Sequence, residues 1–141
     1  MVDLIPDTAF GRRARERLQT EKVIWLTTVG QDGTPQPNPV WFIWDGGAEI
    51  ITYNLPDSHR LAHIARRPHV SLNFDSDGAG MDIVVLRGVA ERVDDVPPPD
   101  ESADYTAKYG TDMIRISGSA AAFAASYSAP VRITIDRIRG Y

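Results

Sequence analysis

Three adjacent residues, Ser58, His59 and Arg60, form the polar cluster of this sequence that is best suited to chemistry. They follow a Pro-Asp pair at a point where a strand pattern changes to a helical one. A helix start presents unpaired backbone N–H groups and the positive end of the helix dipole. A serine hydroxyl adds a hydrogen-bonding group, and the planar guanidinium of arginine suits phosphate. A nearby phosphate also favours the charged imidazole of His59. The cluster therefore predicts an anion site.

A second interpretation of the same cluster is structural. Ser58 would cap the helix and Arg60 would point into solvent, because a hydroxyl residue followed by a basic one is common at helix starts. The local pattern alone favours this interpretation. The choice between the two depends on the rest of the sequence.

The histidines suggest a metal site that the sequence does not complete. His59 and His63 are spaced to share one helix face, and His69 is close by. Helical His pairs of this kind bind metals when further ligands are available. The sequence has no cysteine, no glutamate placed as in an HExxH motif, and no third ligand at a reliable spacing. We expect no metal site. We also find no catalytic-serine, phosphate-loop or dinucleotide motif.

The composition limits the class of protein. The chain has 141 residues, 43% of them hydrophobic and 24% charged, with a formal net charge of -4. This length predicts one domain over residues 1–141, and the acidic charge gives no support to nucleic-acid binding. The absence of cysteine fits a reducing compartment. No apolar run approaches the roughly 20 residues of a membrane span, and the N-terminus lacks the order of a signal peptide. We therefore expect a cytoplasmic protein without a membrane partner.

The helical segments that must position the cluster are short. Thr8 is expected to cap a first helix over 9–19, whose apolar stripe is Phe10, Ala14 and Leu18. The cluster itself opens a helix over 58–67 that ends at Pro68. A polar connector then leads to the last two helical segments, which are predicted near 103–109 and 120–126.

Six strands are predicted, five early in the chain and one at its end. They cover 23–29, 34–44, 48–54, 70–74, 81–93 and 131–138. Alternating prolines at 35–39 make the first half of the second strand an edge or an irregular strand, and 45–47 is a hairpin turn. Short strands joined by tight turns favour a closed antiparallel barrel or sandwich over a parallel sheet.

The order of these motifs is specific, although each motif alone is loose. A helix, a strand and a Gly turn are followed by "GTPQPNPVWF", "DGG", "ITYN", "SHR" and "VSLNF", and later by "YTAKY" and "VRITIDRIRGY". This order resembles the pyridoxamine 5′-phosphate oxidase-like flavin-binding split barrels, and most of all the small enzymes that use the deazaflavin coenzyme F420. The resemblance covers nearly the whole chain. It implies a mainly β fold with short helices, namely a six-stranded antiparallel split β-barrel with an N-terminal helix.

The resemblance also implies a cofactor site. The matching positions place the cofactor phosphate on Ser58, His59 and Arg60, and the ring along two segments, Asn38, Pro39 and Val40 and then Thr52, Tyr53 and Asn54. The amides of Asn38 and Asn54, with backbone groups freed by the prolines, would bond the pyrimidine edge of the ring. Either Val40 or Trp41 would form its apolar wall, and only one of the two is expected to face the site, because side chains alternate along a strand.

The function implied by the resemblance is hydride transfer between F420 and an unidentified small organic substrate. FMN in the same fold is the alternative cofactor, and a non-catalytic flavin- or tetrapyrrole-binding protein is the alternative from another class. Solvent or a tyrosine such as Tyr109 would supply the proton. Oxidation of pyridoxamine phosphate is not expected, because the chain ends at Tyr141 without the longer C-terminal region of that enzyme.

Two further expectations concern what lies around the cofactor. Members of the resembled family are homodimers with the cofactor at the interface, and a small domain with Trp25, Trp41 and Trp44 is compatible with this. The first helix carries a basic face that is either solvated or receives the acidic oligoglutamate tail of F420; its residues are Arg12, Arg13, Arg15 and Arg17.

Overall fold

The computed structural model describes residues 4–141. Residues 1–3, part of the N-terminus in which no signal peptide is predicted, lie outside the described residues. The helices are α1 Ala9–Thr20, α2 His59–Arg66, α3 Ala103–Ser117 and α4 Ala120–Ser126. The strands are β1 Ile24–Val29, β2 Pro35–Val40, β3 Ile43–Trp44, β4 Glu49–Asn54, β5 His69–Asn73, β6 Val84–Arg92 and β7 Ala129–Gly140. They form a curled antiparallel sheet in the order β2-β1-β5-β6-β7-β4-β3, which is consistent with a split barrel.

The sheet has seven strands in the described range, not the predicted six. The segment 34–44 splits in two, because β2 pairs with β1 at one edge of the sheet while β3 pairs with β4 at the other. Trp41 and Phe42 link them, and Phe42 is fully buried. The prolines of β2 lack the N–H groups that a central strand needs, so this part of the segment lies at an edge, as expected.

The helices are largely where the pattern places them. Thr8 caps α1 by accepting a hydrogen bond from the Gly11 N–H at 3.0 Å, and the stripe of α1 packs on the core. Helix α3 runs on to Ser117 instead of ending near Tyr109, because the helix tolerates Gly110 and buries Met113 beyond it. Gly118, at φ +86°, ends the helix. None of the helices in residues 4–141 is long and apolar enough to cross a membrane.

Two hydrophobic cores meet at the link between β2 and β3. The larger core fills the curled sheet and includes Val40 and Phe42. The smaller core lies between β4 and the helices α3 and α4, and Trp41 and Ile43 pack against it. Its buried members are Tyr53, Tyr105, Tyr109, Met113 and Phe123. Alternate residues of one short segment thus enter different cores, which explains why the whole segment is apolar.

The hairpin between β3 and β4 has the predicted turn. Asp45 accepts hydrogen bonds from the Gly47 and Glu49 N–H groups at 2.7 and 3.1 Å through Oδ1. Gly46 has φ +84°, a conformation that glycine adopts without strain. The turn brings β4 back along β3 and delivers the end of β4 to the start of α2.

Candidate functional site

A cleft of about 300 Å³ opens between the two cores, where β2 and β4 end and α2 begins. Six of the nine predicted site residues line it: Pro39, Val40, Tyr53, Asn54, Ser58 and Arg60. The strand ends supply the first four, and the first turn of α2 supplies the last two. The structure therefore brings together residues from three separate segments of the chain.

The other three predicted residues lie outside the lining of the cleft. Asn38 is exposed on the edge strand β2. Thr52 is fully buried, and its hydroxyl oxygen accepts a hydrogen bond from the Asn54 amide at 3.1 Å. His59 points to a different groove on the other side of α2. In this structure Thr52 orients Asn54, and Asn38 and His59 remain predictions.

The guanidinium of Arg60 has a hydrogen-bond donor that the described residues leave without a partner. Its Nε donates to Ser58 Oγ at 3.3 Å, while its Nη1 is buried and has no hydrogen-bond partner among the described residues. Burial lowers the pKa of the guanidinium, and the nearby Tyr127 opposes this shift. A buried donor without a partner is costly, above all on a charged group. An anion in the cleft beside Ser58 and Arg60 would satisfy it.

The structural interpretation of Ser58 is wrong. Ser58 occupies the N-cap position of α2, but its side chain makes no capping hydrogen bond. Its hydroxyl oxygen accepts from Arg60 instead, and Arg60 is half-buried and not solvated. Both side chains are therefore oriented toward the cleft, and the helix does not depend on Ser58 for its cap.

Asn54 presents an acceptor to the cleft. Its Nδ2 donates to Thr52 Oγ1 and to the Ala129 carbonyl, each at 3.1 Å. The carbonyl can only accept, so it fixes which end of the amide is the nitrogen. Both amide hydrogens are used in this way, and Oδ1 remains for an N–H donor of a bound ring.

Stacked aromatic rings form one wall of the cleft. Trp41 stacks on Tyr109 with ring centroids 4.8 Å apart and on Phe123 at 5.4 Å, and Phe123 stacks on Tyr127 at 4.3 Å. Val40 also lines the cleft. The expectation that only one of Val40 and Trp41 would face the site is wrong, because the cleft lies between the two cores that these residues enter.

Tyr109 is not placed to supply a proton. It is fully buried and does not line the cleft. Its hydroxyl accepts from the Phe42 N–H at 2.9 Å and lies 2.7 Å from the Lys22 carbonyl oxygen. Burial raises the pKa of this hydroxyl well above its ordinary value. Tyr109 therefore holds the link between β2 and β3 in place.

The sequence-based prediction missed the part of the lining that comes from α3 and α4. These residues are Tyr105, Ile116, Phe123 and Tyr127, and Leu55 adds an apolar side chain from the end of β4. A signal was present, because Tyr105 and Tyr109, and likewise Phe123 and Tyr127, are spaced to share one helix face. Nothing in the pattern showed that the two faces meet over β4.

The arginines of α1 bind the protein itself. Arg13 pairs with Asp82 at 2.5 Å, and Arg17 donates to the carbonyl oxygens of Asp75 and Asp82 at 2.8 and 3.0 Å. Arg15 donates to a further carbonyl group. The bonds of Arg13 and Arg17 hold α1 against the loop between β5 and β6, and Arg15 bonds to Ile5 in the segment before α1. The cluster is therefore not a simple solvated face, although Arg12 is exposed and has only a long ion pair of 3.7 Å to Asp7. Binding of an acidic tail by this face stays a prediction. Within residues 4–141, no group of three or more His, Asp or Glu residues is arranged to hold a metal.

The family of the chain is shown by its sequence as well as by its fold. Residues 10–141 match the family model of pyridoxamine 5′-phosphate oxidase. The chain belongs to this family. No curated protein is significantly similar to it in sequence.

Solved structures of the same fold differ in what their names say they bind. An F420 reductase is 21% identical, with a TM-score of 0.63 and coverage of 89% of this chain and 94% of that one. A FAD-binding protein from Mesorhizobium loti is 18% identical, with a TM-score of 0.63 and coverage of 93% and 91%. The heme storage protein of Vibrio cholerae is 14% identical, with a TM-score of 0.60 and coverage of 99% and 95%. Identities this low show the shared fold of the family and leave the cofactor open.

Proposed function

We propose that the chain is an oxidoreductase that binds the deazaflavin F420 in the cleft, with a cofactor phosphate on Ser58 and Arg60. The observation that carries this proposal is the buried Nη1 of Arg60, which has no partner in the described part of the chain and lies at a cleft with an aromatic wall. A phosphate supplies the missing acceptors, and its charge compensates the half-buried guanidinium.

The remaining lining suits a flavin-like ring. Asn54 Oδ1 is free to accept from an N–H on the polar edge of the ring. Trp41 and Tyr127 belong to the stacked wall, which excludes water from one side. When bound, the cofactor supplies the hydride-transfer chemistry, and the protein supplies binding, orientation and exclusion of water. This division of roles fits a site in which no nucleophile or acid–base pair is evident among the described residues.

The choice of F420 over FMN is supported by the order of sequence motifs and by the F420 reductase of the same fold. FMN in the same cleft is the alternative cofactor. A non-catalytic tetrapyrrole-binding protein is the alternative from another class, supported by the shared fold of the heme storage protein.

A titration with F420, FMN and hemin tests these alternatives. We expect F420 to quench the fluorescence of Trp41 and to bind more tightly than the other two. The protein should also melt at a higher temperature with F420, because a ligand at 100 times its Kd adds about 2.7 kcal/mol of stability. Binding of FMN without binding of F420 would replace the deazaflavin proposal by the FMN alternative. Binding of hemin alone would contradict both.

We further propose that a second copy of the chain covers the open side of the cleft. Its volume of about 300 Å³ is at the lower end of ligand pockets, too small to enclose a flavin. Leu55 and Ile116 line the cleft and are 42% and 49% exposed, which leaves apolar surface at its rim. A homodimer would cover this surface and the open side of the cofactor.

A further inference from the structure

Helix α2 separates the cleft from a second concavity. This groove has a volume of about 410 Å³ and is lined by Gln31, His59, Ala62, His63, Arg66 and Arg67. It shares no lining residue with the cleft. Leu61 and Ile64 bury the face of α2 that points into the protein. The outward face of the same helix thus collects two histidines and two arginines.

The charges of the groove are compensated only in part by residues 4–141. Arg66 and Arg67 form no ion pair with any residue in 4–141; Arg67 has only a long hydrogen bond of 3.4 Å to the Gln31 carbonyl oxygen. Asp32 lies in the adjacent turn, where the Thr34 N–H and, to a lesser degree, Arg67 lower the pKa of its carboxyl. Asp32 and Arg67 nevertheless form no ion pair. Arg66 is the last residue of α2 and Arg67 is its C-cap, so two positive charges are adjacent in the chain. A bound anion would reduce the repulsion between them.

One histidine of the groove is held in place. His63 Nδ1 lies 2.9 Å from the hydroxyl oxygen of Thr28, which is 1% exposed. This bond orients the imidazole, and its other ring nitrogen is left for a ligand. The groove therefore combines two arginine side chains with one fixed ring, and fixed donors lose less entropy on binding.

The lining also limits the kind of ligand. Ala62 is the one apolar side chain among the described residues that line the groove. There is no aromatic or aliphatic wall of the kind that a ring-bearing ligand needs. The net charge of the chain is -4, so a general attraction for anions is not expected. The groove suits a small, highly charged anion without a large apolar part.

We propose that this groove is a second anion site, separate from the cofactor cleft, which binds a small molecule carrying two or more phosphate or carboxylate groups. Arg66 and Arg67 form the charged contacts, and His59, His63 and Gln31 supply further hydrogen bonds. The proposal does not depend on the cofactor, because the two concavities have no lining residue in common.

Calorimetric titration with inorganic tripolyphosphate, at about 0.15 M salt to screen diffuse attraction, tests this site. We expect saturable binding of one tripolyphosphate per chain. The variant Arg66→Gln/Arg67→Gln should weaken it at least about tenfold, through loss of two charge-assisted contacts. Arg12→Gln/Arg115→Gln removes the same charge from exposed arginines elsewhere and should change the affinity less than about twofold. The single variant Arg66→Gln, on an exposed residue, keeps the test available if the double variant fails to fold.

Three results would overturn the proposal: no saturable binding, an equal loss in the control pair, or a loss confined to Arg60→Gln, which would place the anion in the cleft. A parallel titration with citrate separates the two ligand chemistries. Weaker binding of citrate supports a phosphate ligand, and equal binding supports a site for either group. Because Arg60→Gln affects only the cleft, failure of this site and failure of the cofactor proposal are distinguishable.

Discussion

Arg60 is the residue on which the proposed cofactor site depends most. Its Nη1 is buried without a partner among residues 4–141, so its bond to a phosphate would be charge-assisted and shielded from water. We expect Arg60→Gln to weaken cofactor binding by roughly 1.5–3 kcal/mol, the usual contribution of such a bond. Fluorescence titration measures the effect, and Arg12→Gln on the exposed part of α1 is the matched control.

Ser58→Ala sharpens the same test. Ser58 makes no capping hydrogen bond, so its loss should leave the melting temperature nearly unchanged while weakening cofactor binding less than Arg60→Gln does. An Arg60→Gln variant that binds the cofactor as tightly as the parent would show that the cofactor phosphate does not bind at Arg60. If Ser58→Ala lowers the melting temperature but not the cofactor affinity, the interpretation of Ser58 as a helix cap is correct after all.

Tyr109 is predicted to matter for stability and not for chemistry. Tyr109→Phe deletes the hydroxyl that accepts from the buried Phe42 N–H, and leaving a buried donor unsatisfied costs about 1–3 kcal/mol. Urea denaturation should show this loss, with cofactor affinity little changed. Tyr127→Phe is the control, because the half-buried Tyr127 hydroxyl makes no hydrogen bond within residues 4–141, and its removal should shift stability by less than about 0.5 kcal/mol. Equal stability of the parent and Tyr109→Phe would contradict this role.

At the scale of residues, sequence reasoning located the part of the candidate site that is local in the chain. The strand-to-helix pattern indicated Ser58 and Arg60, which open one helix. The family resemblance added Pro39, Val40 and Asn54, and they line the same cleft. Tyr105 and Tyr127 reach the cleft only because α3 and α4 fold back over β4. Such a contact depends on packing between segments that are far apart in the sequence, and no spacing rule reveals it.

At the scale of elements, the errors in the predicted strand and helix bounds lie in segments whose side chains are buried on both sides of a change in structure. The segment 40–44 is apolar throughout, so its pattern did not show that the chain leaves one edge of the sheet and enters the other. Apolar runs of this length do not reveal their own interruptions. The third helix was predicted too short, because the segment 103–109 continues through Gly110 to bury Met113.

Helix α4 is attached to the protein mainly through one side chain, and this leads to a prediction. Phe123 is the buried residue that α4 contributes, and it stacks on both Trp41 and Tyr127. We expect Phe123→Ala to cost about 3–5 kcal/mol of stability by leaving a cavity. It should also weaken cofactor binding, because two rings of the cleft wall lose their support. Thermal unfolding and cofactor titration measure the two effects.

Phe10→Ala, on the half-buried side of α1, is the control for Phe123→Ala. It should lower stability less and leave cofactor affinity unchanged, because Phe10 does not line the cleft. If Phe123→Ala loses stability but binds cofactor as the parent does, the aromatic wall has no part in the site.

At the scale of the whole molecule, the homodimer remains a proposal. The three tryptophans that were compatible with it are each half-buried against their own chain. The open cleft and its rim are the structural features that support a dimer. We expect light scattering to show the mass of a dimer, with an interface on the order of 2,000 Å².

The variant Ile116→Asp should shift the protein from dimers toward monomers and weaken cofactor binding, because Ile116 is exposed at the rim. Met81→Asp, which alters an exposed apolar residue outside the cleft lining, should change neither. A monomer that binds cofactor at full affinity would contradict the proposal.

The two-residue link between β2 and β3 affects how the sheet opens locally and exchanges its amide hydrogens. Three peptide steps span at most about 11 Å, so the end of β2 and the start of β3 stay within that distance of each other. Amide hydrogens of both edge strands should therefore exchange with solvent in one shared opening event, although these strands are the most distant pair in the order of the sheet. A ligand that contacts Val40 and Trp41 would stabilise this link against local opening. It would therefore slow amide hydrogen exchange in both edge strands together.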